Sequence, residues 1–186
     1  MKRKVALLGD SIRQIGYGLK VPALLGEGYE VFQPDDNCRF AKYTLRGIFD
    51  WGEDLKDCEV IHWNNGLWDV CNLFGDGQLF STDEEYVENI LRVARLLKEI
   101  TPNVIFATTT PVHPEYLYNK NTDIQRFNAL VVPRLREMGV LINDLYSLVA
   151  EDIEGNICED QIHLSEKGIE ICSQQVAKMI INYIEE

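Results

Sequence analysis

Near its start the chain reads Val5-Ala6-Leu7-Leu8-Gly9-Asp10-Ser11, a short apolar run that ends in a turn and a serine. An uninterrupted apolar run of this length predicts a strand that is buried on both faces. Gly9 and Asp10 then favour a turn. Ser11 is therefore predicted to follow the first strand directly, with its hydroxyl at the rim of the sheet.

Four more apolar runs of strand length follow, at residues 30–32, 59–63, 104–109 and 140–142. Helix-like stretches separate these runs, and this alternation is typical of a parallel sheet with helices on both faces. The predicted fold class is therefore α/β, a doubly wound five-stranded parallel sheet. No repeat, low-complexity tract or linker divides the sequence, so residues 1–186 are predicted to form a single domain.

Several predicted helices begin at recognisable capping residues. Thr82 and Glu85 have the spacing of a capping box, and Thr122 and Gln125 repeat it ahead of a second helix. Ser165 is predicted to be the N-cap of the last helix.

The composition is that of a globular protein with an acidic balance. The 186 residues include 18 basic and 30 acidic side chains, a formal net charge of −12, and neither sign is gathered into long blocks. This charge argues against nucleic acid or an anionic membrane as a partner. The apolar stretch after Lys4 is too short for a signal peptide, and no stretch reaches membrane-spanning length.

The cysteines are odd in number and include no Cys-x-x-Cys pair. They predict reduced thiols in a cytoplasmic protein rather than a zinc cluster or a disulfide framework. No metal-binding pattern such as His-x-His or His-Glu-x-x-His occurs either. We therefore predict neither a metal nor a cofactor. The cysteines are Cys38, Cys58, Cys71, Cys158 and Cys172.

Ligands of such sheets bind outside the carboxyl ends of the strands. Ser11 follows the first predicted strand, Asn64 and Asn65 follow the third, and residues 110–121 follow the fourth. His163 lies in the loop before the last predicted helix. All four segments are therefore predicted to meet at one edge of the sheet.

Asp160-Gln161-Ile162-His163 supplies what a serine nucleophile needs. A serine hydroxyl reacts when a neutral imidazole takes its proton and a third group orients that ring. His163 is the predicted base and Asp160 the predicted orienter of Ser11. The other histidines are interpreted differently, His62 as a core residue within a strand and His113 as a surface or pocket-rim residue.

Acyl transfer also needs donors aimed at the developing oxyanion. The backbone N–H of Ser11 is one candidate, and a side-chain amide of the Asn64-Asn65 pair is the second. The alternative is that Asn65-Gly66 only forms a turn. Four aromatic residues are candidates for the lining of an acyl or sugar pocket, with the core as the alternative: Trp63, Trp68, Tyr116 and Tyr118.

The sequence resembles the SGNH (GDSL-type) hydrolases, a superfamily of esterases, lipases, thioesterases and carbohydrate deacetylases. Residues 8–12, Leu-Gly-Asp-Ser-Ile, and residues 160–168, Asp-Gln-Ile-His-Leu-Ser-Glu-Lys-Gly, carry the resemblance, which extends over essentially the whole chain. The resemblance implies a flavodoxin-like three-layer α/β/α fold. It also implies Ser11 as nucleophile, His163 as base and Asp160 as the third member of a triad.

Two middle blocks depart from the family pattern. Cys38 occupies the position of a glycine whose backbone N–H serves the oxyanion hole. Counting from the third strand places Asn65 in the position of the family's amide donor, whereas aligning Gly66 and Asp69 places Trp68 there. Asn65 is preferred, so the predicted oxyanion hole consists of Ser11, Cys38 and Asn65.

These observations predict a serine esterase that acts on a small-molecule ester through an acyl-serine intermediate. A short acyl group, such as acetate on a carbohydrate or small alcohol, is favoured over a long-chain lipid. Two alternatives stay open: an acyltransferase or thioesterase with the same triad, and a non-catalytic binding module. A nucleotide- or flavin-binding protein is disfavoured, because neither Gly-x-Gly-x-x-Gly nor a P-loop follows the first strand.

Overall fold

A computed structural model of the chain describes residues 2–185, with side chains through Ile184. Met1 and Glu186, the ends of the predicted domain, lie outside the described residues. Five parallel strands form one sheet in the order β2-β1-β3-β4-β5, which is the flavodoxin-like order. The strands are β1 Arg3–Leu8, β2 Tyr29–Phe32, β3 Val60–Asn64, β4 Val104–Ala107 and β5 Leu141–Asn143.

The burial of the strands follows their position in the sheet. The central strands β3 and β4 are buried along their whole length, and β1 is buried from Val5 onward. The edge strands β2 and β5 are partly exposed. Trp63 and Phe106 are register partners, and their rings pack 4.7 Å apart between centroids. The apolar runs of the sequence are therefore the buried layer of an α/β fold, as predicted.

The fourth strand ends two residues earlier than predicted. Thr109 exchanges two hydrogen bonds of 3.0 Å with the side chain of Asn128, one from its N–H and one to its carbonyl. These bonds take the backbone of Thr109 out of the strand ladder. β4 therefore ends at Ala107.

Helices cover both faces of the sheet. On one face α5 contacts both α3 and α6, while on the other α9 contacts α2, α7 and α8. No helix of the described chain is both long and apolar enough to cross a bilayer. The helices are α1 Ser11–Gln14, α2 Val21–Leu25, α3 Ala41–Asp50, α4 Gly52–Leu55, α5 Asp83–Ile100, α6 Asn121–Glu137, α7 Leu145–Ala150, α8 Ile153–Asn156 and α9 Glu166–Glu185, with a 3₁₀ turn at Tyr17–Leu19.

Two of the predicted helix caps are confirmed. Thr82 Oγ1 accepts the N–H of Glu85 at 3.2 Å, and the Glu85 carboxylate accepts the N–H of Thr82 at 2.9 Å. At α9, Ser165 Oγ accepts the N–H of Gly168 at 3.1 Å. Local side-chain to backbone bonds thus fix the start of both helices.

The predicted cap at Thr122 is wrong. Helix α6 begins at Asn121, and its N-cap residue, Lys120, lies two residues before Thr122 and makes no side-chain capping bond. The Asn121 side chain instead exchanges two hydrogen bonds, of 2.9 and 2.8 Å, with the backbone of Val112. A tertiary contact with the loop after β4 therefore sets the start of α6.

Candidate active site

Ser11 lies where the sequence predicts, at the carboxyl end of β1 and at the first residue of α1. Asp10 caps this helix, since its Oδ1 accepts the N–H of Ile12 at 3.0 Å. Gly9 is required before it, because a Cβ there would collide with Asn64 Oδ1. Close packing of the strand ends thus leaves Ser11 half-buried at the rim of the sheet.

The second motif forms a compact hydrogen-bonded turn. Asp160 Oδ2 lies 2.6 Å from His163 Nδ1, and Asp160 Oδ1 accepts the backbone N–H of His163 at 2.9 Å and of Ile162 at 3.1 Å. A carboxylate can only accept, so Nδ1 carries the proton and Nε2 is left as an acceptor. The imidazole is therefore held in the tautomer that a general base needs.

The surroundings of Asp160 keep it ionised. Burial by itself raises the pKa of Asp160, but hydrogen bonds from the backbone and ring of His163, the Cys158 thiol and the N–H of Ile162 outweigh this effect. Together they hold the pKa of Asp160 well below that of an ordinary carboxyl group. Asp160 can thus orient the ring across the whole neutral range.

Ser11 and His163 line the same cavity, which has a volume of about 280 Å³. In the described chain no hydrogen bond joins Ser11 Oγ to the imidazole. In known enzymes, the contact between a catalytic serine and its base is often long in the unliganded protein and shortens when substrate binds. The cavity is otherwise lined by apolar, aromatic and uncharged residues, namely Leu67, Trp68, Cys71, Leu73, Tyr116, Tyr118, Asn119 and Ile162.

One predicted oxyanion donor is available and another is not. The N–H of Ser11 has no hydrogen-bond partner among the described residues. The N–H of Cys38, by contrast, donates to the carbonyl of Gly9 at 3.0 Å, and Cys38 Sγ accepts the N–H of Gly9 at 3.1 Å. The assignment of Cys38 is therefore corrected: this residue is buried and holds the loop after β2 against the end of β1.

The structure does not bring Asn65 into the cavity. Asn65 is fully buried; its Oδ1 accepts from Thr44 Oγ1 at 2.8 Å and its Nδ2 donates to the carbonyl of Arg39 at 2.9 Å. Its side chain thus connects the end of β3 to α3. Trp68, the alternative for this position, is 41% exposed and lines the cavity with Ser11.

A buried polar network that the sequence did not predict lies beneath Ser11. Asn64 Nδ2 donates to Asp10 Oδ1 at 2.7 Å, and the hydroxyl of Tyr17 donates to Asn64 Oδ1 at 2.8 Å. Burial raises the pKa of Asp10 to about 6, against the lowering effect of the bonds from Asn64 and Ile12. These hydrogen bonds attach the turn that contains Ser11 to the end of the third strand.

No structural role was predicted from the sequence for Asp69 either. Its Oδ2 accepts the N–H of Ala41 at 3.0 Å, and its Oδ1 accepts the hydroxyl of Ser81 at 2.9 Å. The carboxyl therefore caps α3 across space, since Phe40 offers no side-chain cap. Burial raises the pKa of Asp69 to about 7, although both hydrogen bonds lower it.

The other two histidines lie outside the cavity. His62 is fully buried in β3, where burial lowers its pKa to about 3, and its Nε2 lies 3.2 Å from Asn143 Nδ2. His113 Nε2 lies 3.0 Å from Glu154 Oε1 on the neighbouring α8. Among residues 2–185, no three His, Cys, Asp or Glu side chains are grouped so as to hold a metal ion.

Three of the four candidate aromatic residues line the cavity. These are Trp68, Tyr116 and Tyr118, and the two tyrosine rings pack edge to face at 5.7 Å. Trp63 is instead fully buried against Phe106 in the core. A signal for this difference exists in the sequence, because Trp63 lies inside an apolar strand and the others in loops.

The fold matches those of solved ester-hydrolysing proteins. A lipase/acylhydrolase from Enterococcus faecalis has a TM-score of 0.74 at 20% identity, with 96% of this chain and 95% of that chain covered. An acetylxylan esterase from Geobacillus stearothermophilus has a TM-score of 0.74 at 16% identity, covering 96% and 94%. A GDSL-like lipase from Bacteroides thetaiotaomicron has a TM-score of 0.74 at 18% identity, covering 97% and 88%.

Comparison by sequence adds nothing to this, since no protein-family model and no curated protein matches the chain. At identities of 20% or less, the likeness is one of fold. The order of the strands agrees with it. The chain has the fold of the SGNH (GDSL-type) hydrolases.

Proposed function

We propose that this protein is a serine esterase that hydrolyses a carboxylic ester through an acyl-serine intermediate. The observation that carries the proposal is the shared cavity, in which Ser11 lies with an imidazole that Asp160 orients at 2.6 Å. The known activities of the structural neighbours support the same reaction class. Ser11 is the proposed nucleophile, His163 the base and Asp160 the orienting residue.

The proposed reaction proceeds in two balanced steps. Ser11 Oγ attacks the ester carbonyl while His163 Nε2 takes the serine proton, and the free N–H of Ser11 stabilises the oxyanion. The imidazolium then gives this proton to the leaving alcohol, which leaves the acyl group on Ser11. In the second step His163 takes a proton from water as the water oxygen attacks the acyl carbonyl. The imidazolium then returns this proton to Ser11 Oγ, which releases the carboxylic acid and restores Ser11.

The lining of the cavity supports an uncharged substrate. Apart from His163, the residues that line it are apolar, aromatic or uncharged polar. Two polar residues of the lining donate hydrogen bonds to backbone carbonyls. Asn119 Nδ2 donates to the carbonyl of Leu67 at 2.8 Å, and Cys71 Sγ donates to the carbonyl of Trp68 at 3.0 Å. We propose a short acyl group such as acetate, esterified to a neutral carbohydrate or small alcohol.

The cysteines support a reducing compartment for this activity. All five are free, and four of them are buried. Free thiols of this kind are typical of proteins that work in the cytoplasm. We therefore propose a cytoplasmic esterase.

Hydrolysis of p-nitrophenyl esters from acetate to octanoate tests the proposal, with Ser11→Ala and His163→Ala as inactivating variants. His113→Gln is the matched control, because this histidine lies outside the cavity. The expected result is a loss of activity in the first two variants only. Mass analysis should also find a single acyl or organophosphorus label on the peptide that carries Ser11.

Three results separate the alternatives. Neither turnover nor labelling of Ser11 in the native protein would favour a non-catalytic binding module. Labelling of Ser11 with faster transfer to an added alcohol than to water would favour an acyltransferase. A preference for thioesters over oxygen esters of the same acyl group would favour a thioesterase.

A further inference from the structure

The segment that carries His163 is closed on itself by its own main chain. Ile157 and Leu164 form an antiparallel bridge, and the N–H of Cys158 donates to the carbonyl of His163 at 2.8 Å. Gln161, with φ of 72°, makes the turn, and its N–H donates to the carbonyl of Cys158 at 2.9 Å. Cys158 and His163 therefore lie opposite each other in a turn that is closed by main-chain hydrogen bonds and not by their side chains.

The Cys158 side chain is directed at the carboxylate of this turn. Its Sγ lies 3.1 Å from Asp160 Oδ1, and the thiol must be the donor because an ionised carboxylate only accepts. The same oxygen also accepts the N–H of Ile162 and of His163. Among the described residues, Oδ1 thus receives three donors and Oδ2 only the imidazole.

We infer that Cys158 is a positioning residue, whose thiol acts with the N–H groups of Ile162 and His163 to hold Asp160 Oδ1, so that Oδ2 faces His163 Nδ1. This inference rests on the proposed function, in which Asp160 orients the base. The distribution of the last side-chain torsion of an aspartate is broad and nearly two-fold, so hydrogen bonds from neighbouring groups must determine which oxygen faces His163. The thiol of Cys158, as the third donor to Oδ1, contributes to this selection.

The environment of Cys158 suits a donor and not a nucleophile. Partial burial and the neighbouring Asp160 carboxylate both raise the pKa of the thiol, because an anion there would be poorly solvated and would face a second anion. The thiol therefore keeps its proton at neutral pH. A thiol with a raised pKa is also a poor nucleophile, which leaves the covalent chemistry to Ser11.

Cys158→Ala and Cys158→Ser form a matched pair for the test. Alanine removes the donor, serine retains one, and both leave the main-chain bonds of the turn unchanged. Cys58→Ala, a thiol removal outside the cavity, is the control. We expect Cys158→Ala to lower kcat about three- to tenfold with KM unchanged, and Cys158→Ser to stay within about twofold of the native protein.

A second readout does not depend on turnover. The Nδ1 proton of His163, shared with Asp160, should give a downfield proton resonance in the native protein and in Cys158→Ser. In Cys158→Ala this resonance should shift or broaden. Thermal unfolding of all variants would identify a loss of folded protein.

Each outcome bears on the inference. Equal losses of kcat in Cys158→Ala and Cys158→Ser would overturn it, because a steric role would then explain both. Native kcat and an unchanged resonance in Cys158→Ala would overturn it as well. If the native protein has no Ser11-dependent activity, the proposed function fails, and the resonance of the folded variants alone decides whether the thiol positions the pair.

Discussion

Asn64 Nδ2 lies 2.7 Å from Asp10 Oδ1, so that the last residue of β3 holds the residue before Ser11. Asn64→Ala removes this bond and also leaves the hydroxyl of Tyr17 without its acceptor. Because all three groups are buried, we expect the free energy of unfolding to fall by about 1–3 kcal/mol. Urea denaturation measures it, with the exposed Asn182→Ala as control. Equal midpoints for the two variants would contradict the prediction.

Asp160→Asn tests the orientation of the base. Its side-chain amide can donate to His163 Nδ1, which favours the wrong tautomer of the imidazole. If the proposed triad acts as it does in known serine hydrolases, kcat should fall by about 10³–10⁴-fold with little change in KM. Glu159→Gln removes a neighbouring exposed carboxylate and should leave kcat within about twofold of the native value. Equal effects of the two variants would show that net charge, and not orientation, matters.

Asp69 should make the protein less stable as the pH rises from about 4 to about 7. Its pKa is about 7 in the folded chain against 3.8 as the ordinary value, so the folded state binds more protons over this window. Stability therefore falls with rising pH, and Asp10, with a pKa of about 6, acts in the same direction. Asp69→Asn should flatten this slope in urea titrations at several pH values. Asp54→Asn, an exposed control, should preserve it.

Trp68 should contribute to substrate binding rather than to folding. It lines the cavity and is 41% exposed, so Trp68→Ala removes an aromatic wall without opening the core. We expect KM for p-nitrophenyl acetate to rise by about tenfold, with the free energy of unfolding changed by less than about 1 kcal/mol. Trp68→Phe should restore most of the binding. A fall in kcat alone for Trp68→Phe would instead indicate that the indole N–H serves the oxyanion.

The uncharged lining predicts discrimination by charge. An ester that carries a second, ionised carboxylate in its acyl group would place that charge against the apolar and uncharged side chains that line the cavity. We expect kcat/KM for such a hemisuccinate ester to be at least about tenfold lower than for the butanoate ester of the same alcohol. Rates for both esters are measured at neutral pH and constant ionic strength. Comparable values would show that the acyl group binds outside the cavity.

The parts of the fold that depend on neighbours in sequence were predictable. The capping box at Thr82 and the cap at Ser165 are local bonds, and the spacing of residues reveals them. The Asp160–His163 pair belongs to the same class, because both residues lie in one short turn. Burial of the central strands likewise follows from their uninterrupted apolar runs.

The predictions that failed concern residues whose contacts join segments distant in the sequence. Cys38 was predicted as an oxyanion donor, but its N–H donates to the carbonyl of Gly9. Asn65 was predicted for the same role, but its side chain forms hydrogen bonds with Thr44 and Arg39. The register of a turn after a strand decides which side chain enters a cavity. A spacing count after β3 cannot reveal this register, and it therefore favoured Asn65 over Trp68.

The position of α9 has a consequence for synthesis. Ser11 lies at the first helix, whereas His163 lies just before α9, which packs against α2 and the Tyr17 segment; Ser173 Oγ donates to the carbonyl of Tyr17 at 3.2 Å. Chains fold from the N-terminus as they leave the ribosome. The proposed nucleophile is therefore made long before the proposed base, and on the proposed mechanism we expect a nascent or C-terminally truncated chain to be inert toward esters even when its sheet has already formed.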